Sequence, residues 1–370
     1  MAKVFRKSVL FLVVTTIAIA LIAGQFSFIF ADDTTPENPT ILNGWTEDYT
    51  QYYIDGVMAT EWQTIDSHKY YFDKTTGIRY LGLQKIDGNY YYFSKTSDPK
   101  GALVTGWKTI SSSRHYFDKK TGAMFTGYKK IGSNHYYFSK SSGTRGAMVT
   151  DKWITYKGVK HWIKKNGTEI KATKYIAFTF DDGPSVNTPY VLKVLKRYGC
   201  SATFFQVGNR IYTYRSVEKK IIAEGSEIGN HSWNHANFAN LSSAAIRVQV
   251  GKTNNRIRKY SGKPAKLMRL PYGSASSTVQ AAVGMPMIMW NVDTMDWSHR
   301  NTAKTVAAIM KNPRNGNIVL MHDLYPTSYH ASAIAIPELI QRGYKIVSVS
   351  KLAKLQGEKL KKGMIYYSVQ

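Results

Sequence analysis

Two adjacent carboxylates, Asp181 and Asp182, sit in the segment Thr179-Phe180-Asp181-Asp182-Gly183-Pro184, and two imidazoles follow at His231 and His235 in His-Ser-Trp-Asn-His. Two histidines and one carboxylate form a common catalytic metal set that leaves coordination positions open for water and substrate. Three further polar clusters come later in the chain: Arg269-Leu270-Pro271-Tyr272-Gly273, Asp293-Thr294-Met295-Asp296-Trp297 and Leu320-Met321-His322-Asp323. A His-x-x-x-His pair alone is weak ground for a metal site. Its combination with the paired carboxylates and the three later clusters is far harder to reach by accident.

Such residues need elements that bring them together. After Lys171, short β-branched or aromatic runs alternate with helical patterns. Strands are expected at Tyr175 to Phe180, Ala202 to Val207, Lys266 to Leu270, Met287 to Asn291 and Asn317 to Met321. Helices are expected near Thr188 to Tyr198, Val217 to Ala223, Ala244 to Tyr260 and Thr302 to Lys311, with a final helix and strand from Ala333 to Val349. That alternation implies βαβ units and a parallel sheet. The stretch is short for a full eight-stranded barrel, so an incomplete or distorted parallel β/α barrel is expected, with its chemistry where the strands end. The spacing of His231 and His235 predicts that both face one side of a helical turn. His299 and His330 are expected in loops, and Cys200 as a small buried hydrophobe.

The ordered set Thr-Phe-Asp-Asp-Gly-Pro, His-Ser-x-x-His, Arg-x-Pro-Tyr, Asp-x-x-Asp-Trp and Leu-x-His resembles the five motifs of the polysaccharide deacetylases of the NodB-homology kind, carbohydrate esterase family four. The resemblance runs from Tyr175 to Leu352, with every motif intact and in order. It implies that Asp182, His231 and His235 hold a divalent metal, zinc first, with cobalt, manganese and nickel as alternatives. Asp181 would be the general base and His322 the general acid. Arg269 would orient Asp181, and Asp296 would fix the tautomer of His322, although Asp296 could instead pair with Arg269. The backbone N–H of Tyr272 would join the metal in an oxyanion hole, while Trp297 and Leu320 would line a small pocket for an acetyl methyl. Asp181-Asp182 as a simple helix cap is the bland alternative.

Upstream, from Gly44 to about Lys171, the sequence repeats. Phe72, Phe93, Phe117 and Phe138 are separated by 21, 24 and 21 residues, and Ile65, Ile86, Ile110 and Ile131 keep the same spacing. Short aromatic runs divided by Gly, Asn and Asp turns are the sequence form of β-hairpins, which need stacking to be stable. An all-β hairpin-repeat solenoid is therefore expected. The units Trp107 to Gly127 and Tyr128 to Asp151 resemble the choline-binding and glucan-binding type of cell-wall repeat. That resemblance implies aromatic cages for a quaternary ammonium or stacking platforms for sugars. Most of the aromatics can equally be solenoid core.

The 370 residues carry 50 Lys and Arg against 24 Asp and Glu, a charge that attracts polyanions. Lys3, Arg6 and Lys7 precede an uncharged apolar run from Ser8 to Phe30, the layout of an export signal or a membrane anchor. Export disfavours nucleic acid as a partner. One cysteine rules out an internal disulfide and any Cys-rich metal site. The domain reading is 1–31 signal or anchor, 32–43 linker, 44–172 wall-binding repeats, 173–355 deacetylase domain and 356–370 tail. The expected function is a secreted or cell-surface N-deacetylase of the Gram-positive type. It would remove acetyl from GlcNAc of a wall polymer, peptidoglycan first, and bind anionic wall polymers or choline-like groups through the repeats. Alternatives are a chitin-like, poly-GlcNAc or acetyl-xylan substrate, or a wall-binding adhesin with little activity.

Overall fold

A computed structural model describes residues 42–96 and 99–370, so the expected signal or anchor segment lies outside the described residues. Among those residues no helix is long and apolar enough to cross a membrane. The described chain falls into two compact units, one of residues 42–63 and 71–79, the other of residues 64–70 and 80–370. In the first, Gly44–Trp45, Tyr52–Ile54 and Val57–Met58 form a three-stranded antiparallel sheet, with the Trp45 ring edge-on to Tyr52 at 5.2 Å.

The second unit begins with antiparallel hairpins: Gly82–Ile86 with Asn89–Phe93, Gly106–Ile110 with Ser113–Phe117, Gly127–Ile131 with Asn134–Phe138, and Lys152–Tyr156 with Val159–Ile163. Their two-residue turns take the conformation that matches strand twist. Asp87 and Gly88 both have positive φ, 47° and 83°, which is why Asp-Gly serves there. Phe93, Phe117 and Phe138, the residues that set the sequence period, are fully buried. The first three of these hairpins are each tied to the repeat that follows, because Met124 N–H donates to the Tyr90 carbonyl, Met148 N–H to that of Arg114 and Glu169 N–H to that of His135.

The rest of this unit contains a parallel sheet. Its strands are β1 (Lys174–Gly183), β2 (Thr203–Gln206), β3 (Glu227–Asn230), β4 (Met287–Ile288), β5 (Val292–Asp293), β6 (Ile318–His322), β7 (Tyr344–Val347) and β8 (Ile365–Tyr366). The helices are α1 (Thr188–Arg197), α2 (Ser216–Ala223), α3 (Ser243–Ser261), α4 (Ser277–Val283), α5 (Asp296–His299), α6 (Thr302–Met310), α7 (Pro326–Gln341) and α8 (Val349–Gln356). The main sheet runs β3-β2-β1-β6-β5, and β7 pairs with the first half of β1. β1 is buried from Ile176 to Asp181, as a central strand covered on both faces must be. Val191, Leu192 and Leu195 on α1 and Ala335, Ile336 and Leu339 on α7 present one apolar stripe each to Phe178, Phe180 and Phe204, and this is the main core.

Register places the chemistry. In the β1–β6 ladder Asp181 pairs with His322, and Gln206 pairs with Asn230 one residue before His231. Parallel strands in this register therefore release Asp181, His231 and His322 at one edge. Several expectations are corrected. His231 and His235 lie in an irregular loop, with Ser232 and His235 at positive φ (67° and 60°), and not on a helical turn. The expected strand at Lys266 to Leu270 contracts to single bridges through Met268, to Asn230 and to Met287. His299 ends α5 and His330 lies within α7, so neither is in a loop. The last residues return into the fold: β8 pairs with β4, and Val369 is fully buried.

Candidate active site

Arg269 follows the Met268 bridge and is buried completely, which requires all its donors to be met. Its Nη1–H groups donate to Asp181 Oδ1 at 2.9 Å and to Thr179 Oγ1 at 2.6 Å. Its Nε–H donates to the Ile288 carbonyl and its Nη2–H to the Met289 carbonyl, at 2.8 and 2.9 Å. Asp181, only 3% exposed, is thus fixed by a charge that is itself locked to β1 and to the end of β4. A buried pair of this kind orients the carboxylate and leaves its second oxygen facing the site.

That second oxygen, Asp181 Oδ2, lies 3.9 Å from His231 Nε2. Because a backbone carbonyl can only accept, the 2.7 Å contact from His231 Nδ1 to the Arg269 carbonyl places the proton on Nδ1 and leaves the Nε2 lone pair pointing at Asp182. Asp182 Oδ1 is 3.4 Å from His231 Nε2 and 3.2 Å from His235 Nε2, is buried, and has no hydrogen-bond partner. Three lone-pair donors within 4.8 Å of one another, with a buried oxygen otherwise unsatisfied, fit a divalent cation. Asp182 is held well below the usual carboxylate range: burial opposes this, but the positive charges that His231, His235 and His322 carry when protonated outweigh it. Asp182, His235 and Tyr272 all have left-handed φ (68°, 60° and 59°), a conformation that costs energy in non-glycine residues and clusters here at the site.

Across from the donors stands His322. Its Nδ1–H donates to Asp296 Oδ1 at 2.8 Å, while Asp296 Oδ2 accepts the His322 backbone N–H at 2.7 Å and the Ser328 hydroxyl at 2.6 Å. The structure therefore pairs Asp296 with His322 and leaves Arg269 to Asp181. Burial disfavours the charged imidazolium, but the hydrogen bond and charge of Asp296, with smaller help from Asp181 and Asp182, push His322 up to about 9. Asp181, Asp182, His231, His235, Tyr272, Trp297, Leu320 and His322 line one cavity of about 490 Å³. Leu320 is buried, whereas Trp297 is half exposed at 47% and Tyr272 is exposed at 69%. The arrangement offers a cation site, a carboxylate and an imidazole around one opening, the parts needed for hydrolysis of an acyl bond.

A family model described as polysaccharide deacetylase matches residues 168–288, and repeat models described as choline-binding repeat match 80–126 and 104–153, with a putative cell wall binding repeat at 60–77. A peptidoglycan-N-acetylglucosamine deacetylase of Bacillus cereus is 35% identical over 190 residues, covering 49% of this chain and 89% of that protein. The chain belongs to the polysaccharide deacetylase family. A peptidoglycan-N-acetylglucosamine deacetylase of Listeria monocytogenes is 36% identical over 200 residues, 54% of this chain and 42% of that protein, so the chain spans less than half of that relative's length. Among solved structures, a family 4 acetyl xylan esterase from Clostridium thermocellum in complex with a cobalt ion aligns at 35% identity with a TM-score of 0.51, covering 53% of this chain and 99% of that one.

The cavity also holds residues to which sequence reasoning gave no role: Leu270, Trp290, Asp293 and Tyr325. Leu270 and Asp293 stand inside motifs that were singled out, so position in the motif was the available signal. Trp290 and Tyr325 follow β4 and β6, and only the fold brings them to the cavity. The loop joining Asp182 to α1 is also stitched to the segment after His322. Ser185 Oγ–H donates to the Asp323 carbonyl at 2.5 Å, Asn187 Nδ2–H to the Leu324 carbonyl at 2.8 Å, and the Thr188 hydroxyl to Asp323 Oδ2.

Proposed function

We propose that the chain is an exported, metal-dependent N-deacetylase that removes acetyl from GlcNAc residues of a cell-wall polymer, with peptidoglycan as substrate and the repeats holding it on the wall through anionic wall polymers or choline-like groups. The observation that carries this reading is the convergence of the Asp182, His231 and His235 donors with Asp181 and His322 on one cavity. The names of the Listeria and Bacillus cereus relatives support peptidoglycan as the polymer. In this reading residues 44–172 form the wall-binding repeats, a solenoid tied unit to unit by the Met124, Met148 and Glu169 amides. Residues 173–355 form the catalytic domain, a distorted and incomplete barrel whose sheet continues past β3 through the Met268 bridges to β4.

Zinc is the metal proposed for the triad, which offers two nitrogens and one oxygen. Such an ion, when bound, lowers the pKa of water to about 7 and polarises an acetamide carbonyl. Asp181, held by Arg269, takes the proton from the attacking water with its Oδ2. The backbone N–H of Tyr272 donates to the oxyanion, and Leu320 with Trp297 receives the acetyl methyl. His322, protonated through its pairing with Asp296, gives its Nε2 proton to the departing amine so that it leaves neutral. Incubation of zinc-loaded protein with peptidoglycan should release acetate and free amines in equal amounts, and Asp181→Asn should abolish both. Chitooligosaccharide and acetyl-xylan run in parallel separate the alternative polymers. Absence of release from all three would refute the catalytic reading and leave a wall-binding adhesin.

A further inference from the structure

Resting on the reading of the repeats as a wall-binding module, the geometry points to an anionic, phosphodiester-bearing polymer as the ligand at Trp107, and not a quaternary ammonium. Trp107 is surrounded by three rings from two consecutive repeats: Tyr116 at 5.0 Å, Tyr136 at 5.0 Å and Phe138 at 5.9 Å between centroids. A box of this kind recognises a cation over the indole face. Here that place is already filled from within the chain, because the Arg114 guanidinium lies 4.3 Å from the Trp107 centroid. A second cation on the same face would meet like-charge repulsion of the same order as the cation–π attraction it gained.

Arg114 is nevertheless exposed, and among the described residues no carboxylate pairs with it. Stacking uses the face of a guanidinium and leaves its N–H edge free, which is the geometry that binds a phosphate oxygen pair. Neighbouring units repeat the device. Lys108 lies over Tyr92 at 5.3 Å, Lys129 over Phe125 at 4.7 Å, and Lys85 and Arg145 both over Tyr90, at 6.0 and 5.9 Å. Between residues 80 and 171 the sequence has 17 Lys and Arg against 5 Asp and Glu, so these cations face little internal competition for an anion. A polymer with one phosphate per repeating unit could pair with successive cations, its sugar or polyol parts resting on the rings between them.

The test uses the full chain and two probes, a poly(glycerol phosphate) oligomer and choline chloride, read by Trp fluorescence and calorimetry. Wild-type protein should bind the polyanion with an affinity that falls with salt and should not be saturated by choline. Arg114→Gln should weaken polyanion binding roughly tenfold, the loss of one charge-assisted contact, with partial rescue in Arg114→Lys. Arg114→Ala, which empties the box, should gain choline binding. Saturable choline binding by the wild type, or polyanion binding unchanged in Arg114→Gln, would overturn the proposal. Acetate release from a soluble chitooligosaccharide should be unchanged in all three variants; a wild type inactive in that assay would fail the catalytic reading while leaving this one to the binding data.

Discussion

Replacing Asp296 by Asn changes one oxygen into an NH2 group at a position where both carboxylate oxygens accept. Oδ1 receives His322 Nδ1–H at 2.8 Å, and Oδ2 receives the His322 amide and the Ser328 hydroxyl. The asparagine cannot satisfy both sides, so the imidazolium loses its charged partner and a charge-assisted hydrogen bond worth about 1.5–3 kcal/mol. At 1.36 kcal/mol per pH unit, that lowers the pKa of His322 by about one to two units from its raised value of about 9. In the proposed mechanism His322 is protonated when it releases the amine, so the alkaline limb of the kcat/KM profile should move to lower pH by the same interval. The assay is acetate release from a soluble N-acetylated oligosaccharide across about pH 5.5 to about 10. A metal at the triad acts alike on both proteins, so the displacement between them is the quantity to read. A rate reduced equally at every pH, with the limb unmoved, would refute the assignment of His322 as the acid tuned by Asp296. The same pair affects stability with a definite sign. The folded-state pKa lies above that of an exposed histidine, so the stabilisation is complete below about pH 6.5 and fades as pH rises through about 9.

Asp182→Asn and His231→Ala should each reduce bound zinc after dialysis from stoichiometric to trace; metal retained at wild-type level in both would remove the triad from consideration. Glu218 is fully buried on α2, and burial pushes it up to about 8, with the charge of Asp323 adding to the rise. Its ionisation therefore costs stability as pH climbs from about 4.5 towards 8, so Glu218→Gln should gain melting temperature over wild type across that interval and hold the gain above it; an equal offset at all pH values would contradict this. Phe117→Ala should destabilise the repeats by about 3–5 kcal/mol in a denaturant melt, because Phe117 is a fully buried period-setting ring.

Much of this architecture was legible in the linear chain. Phe93, Phe117 and Phe138 mark the repeat because each hairpin buries one ring at the same point of its own backbone, a local requirement that recurs with the unit. The strand at Tyr175 to Phe180 was readable because a strand covered on both faces must be apolar throughout. The residue types at 181, 182, 231, 235 and 322 pointed to the metal-assisted hydrolysis proposed above, because few side chains can hold a divalent ion or move a proton near neutral pH. Sequence spacing could not say who pairs with whom. Asp296 could have served Arg269 or His322, and the choice was made by the β1–β6 register, which sets His322 beside Asp181 and leaves Arg269 to reach Asp181 from the Met268 bridge. The same limit explains the missed geometry of His231 and His235. Four-residue spacing suits a helical turn, but positive φ at Ser232 and His235 reaches a similar convergence in an irregular loop, held by the Arg269 carbonyl. Arg114 is the last example, an ordinary surface cation in sequence that strand pairing within its own hairpin, with Arg114 opposite Thr109, places over Trp107. Residue type and period are properties of the chain one position at a time, whereas partner choice depends on distances between residues far apart in sequence, and those exist only once the strands have paired.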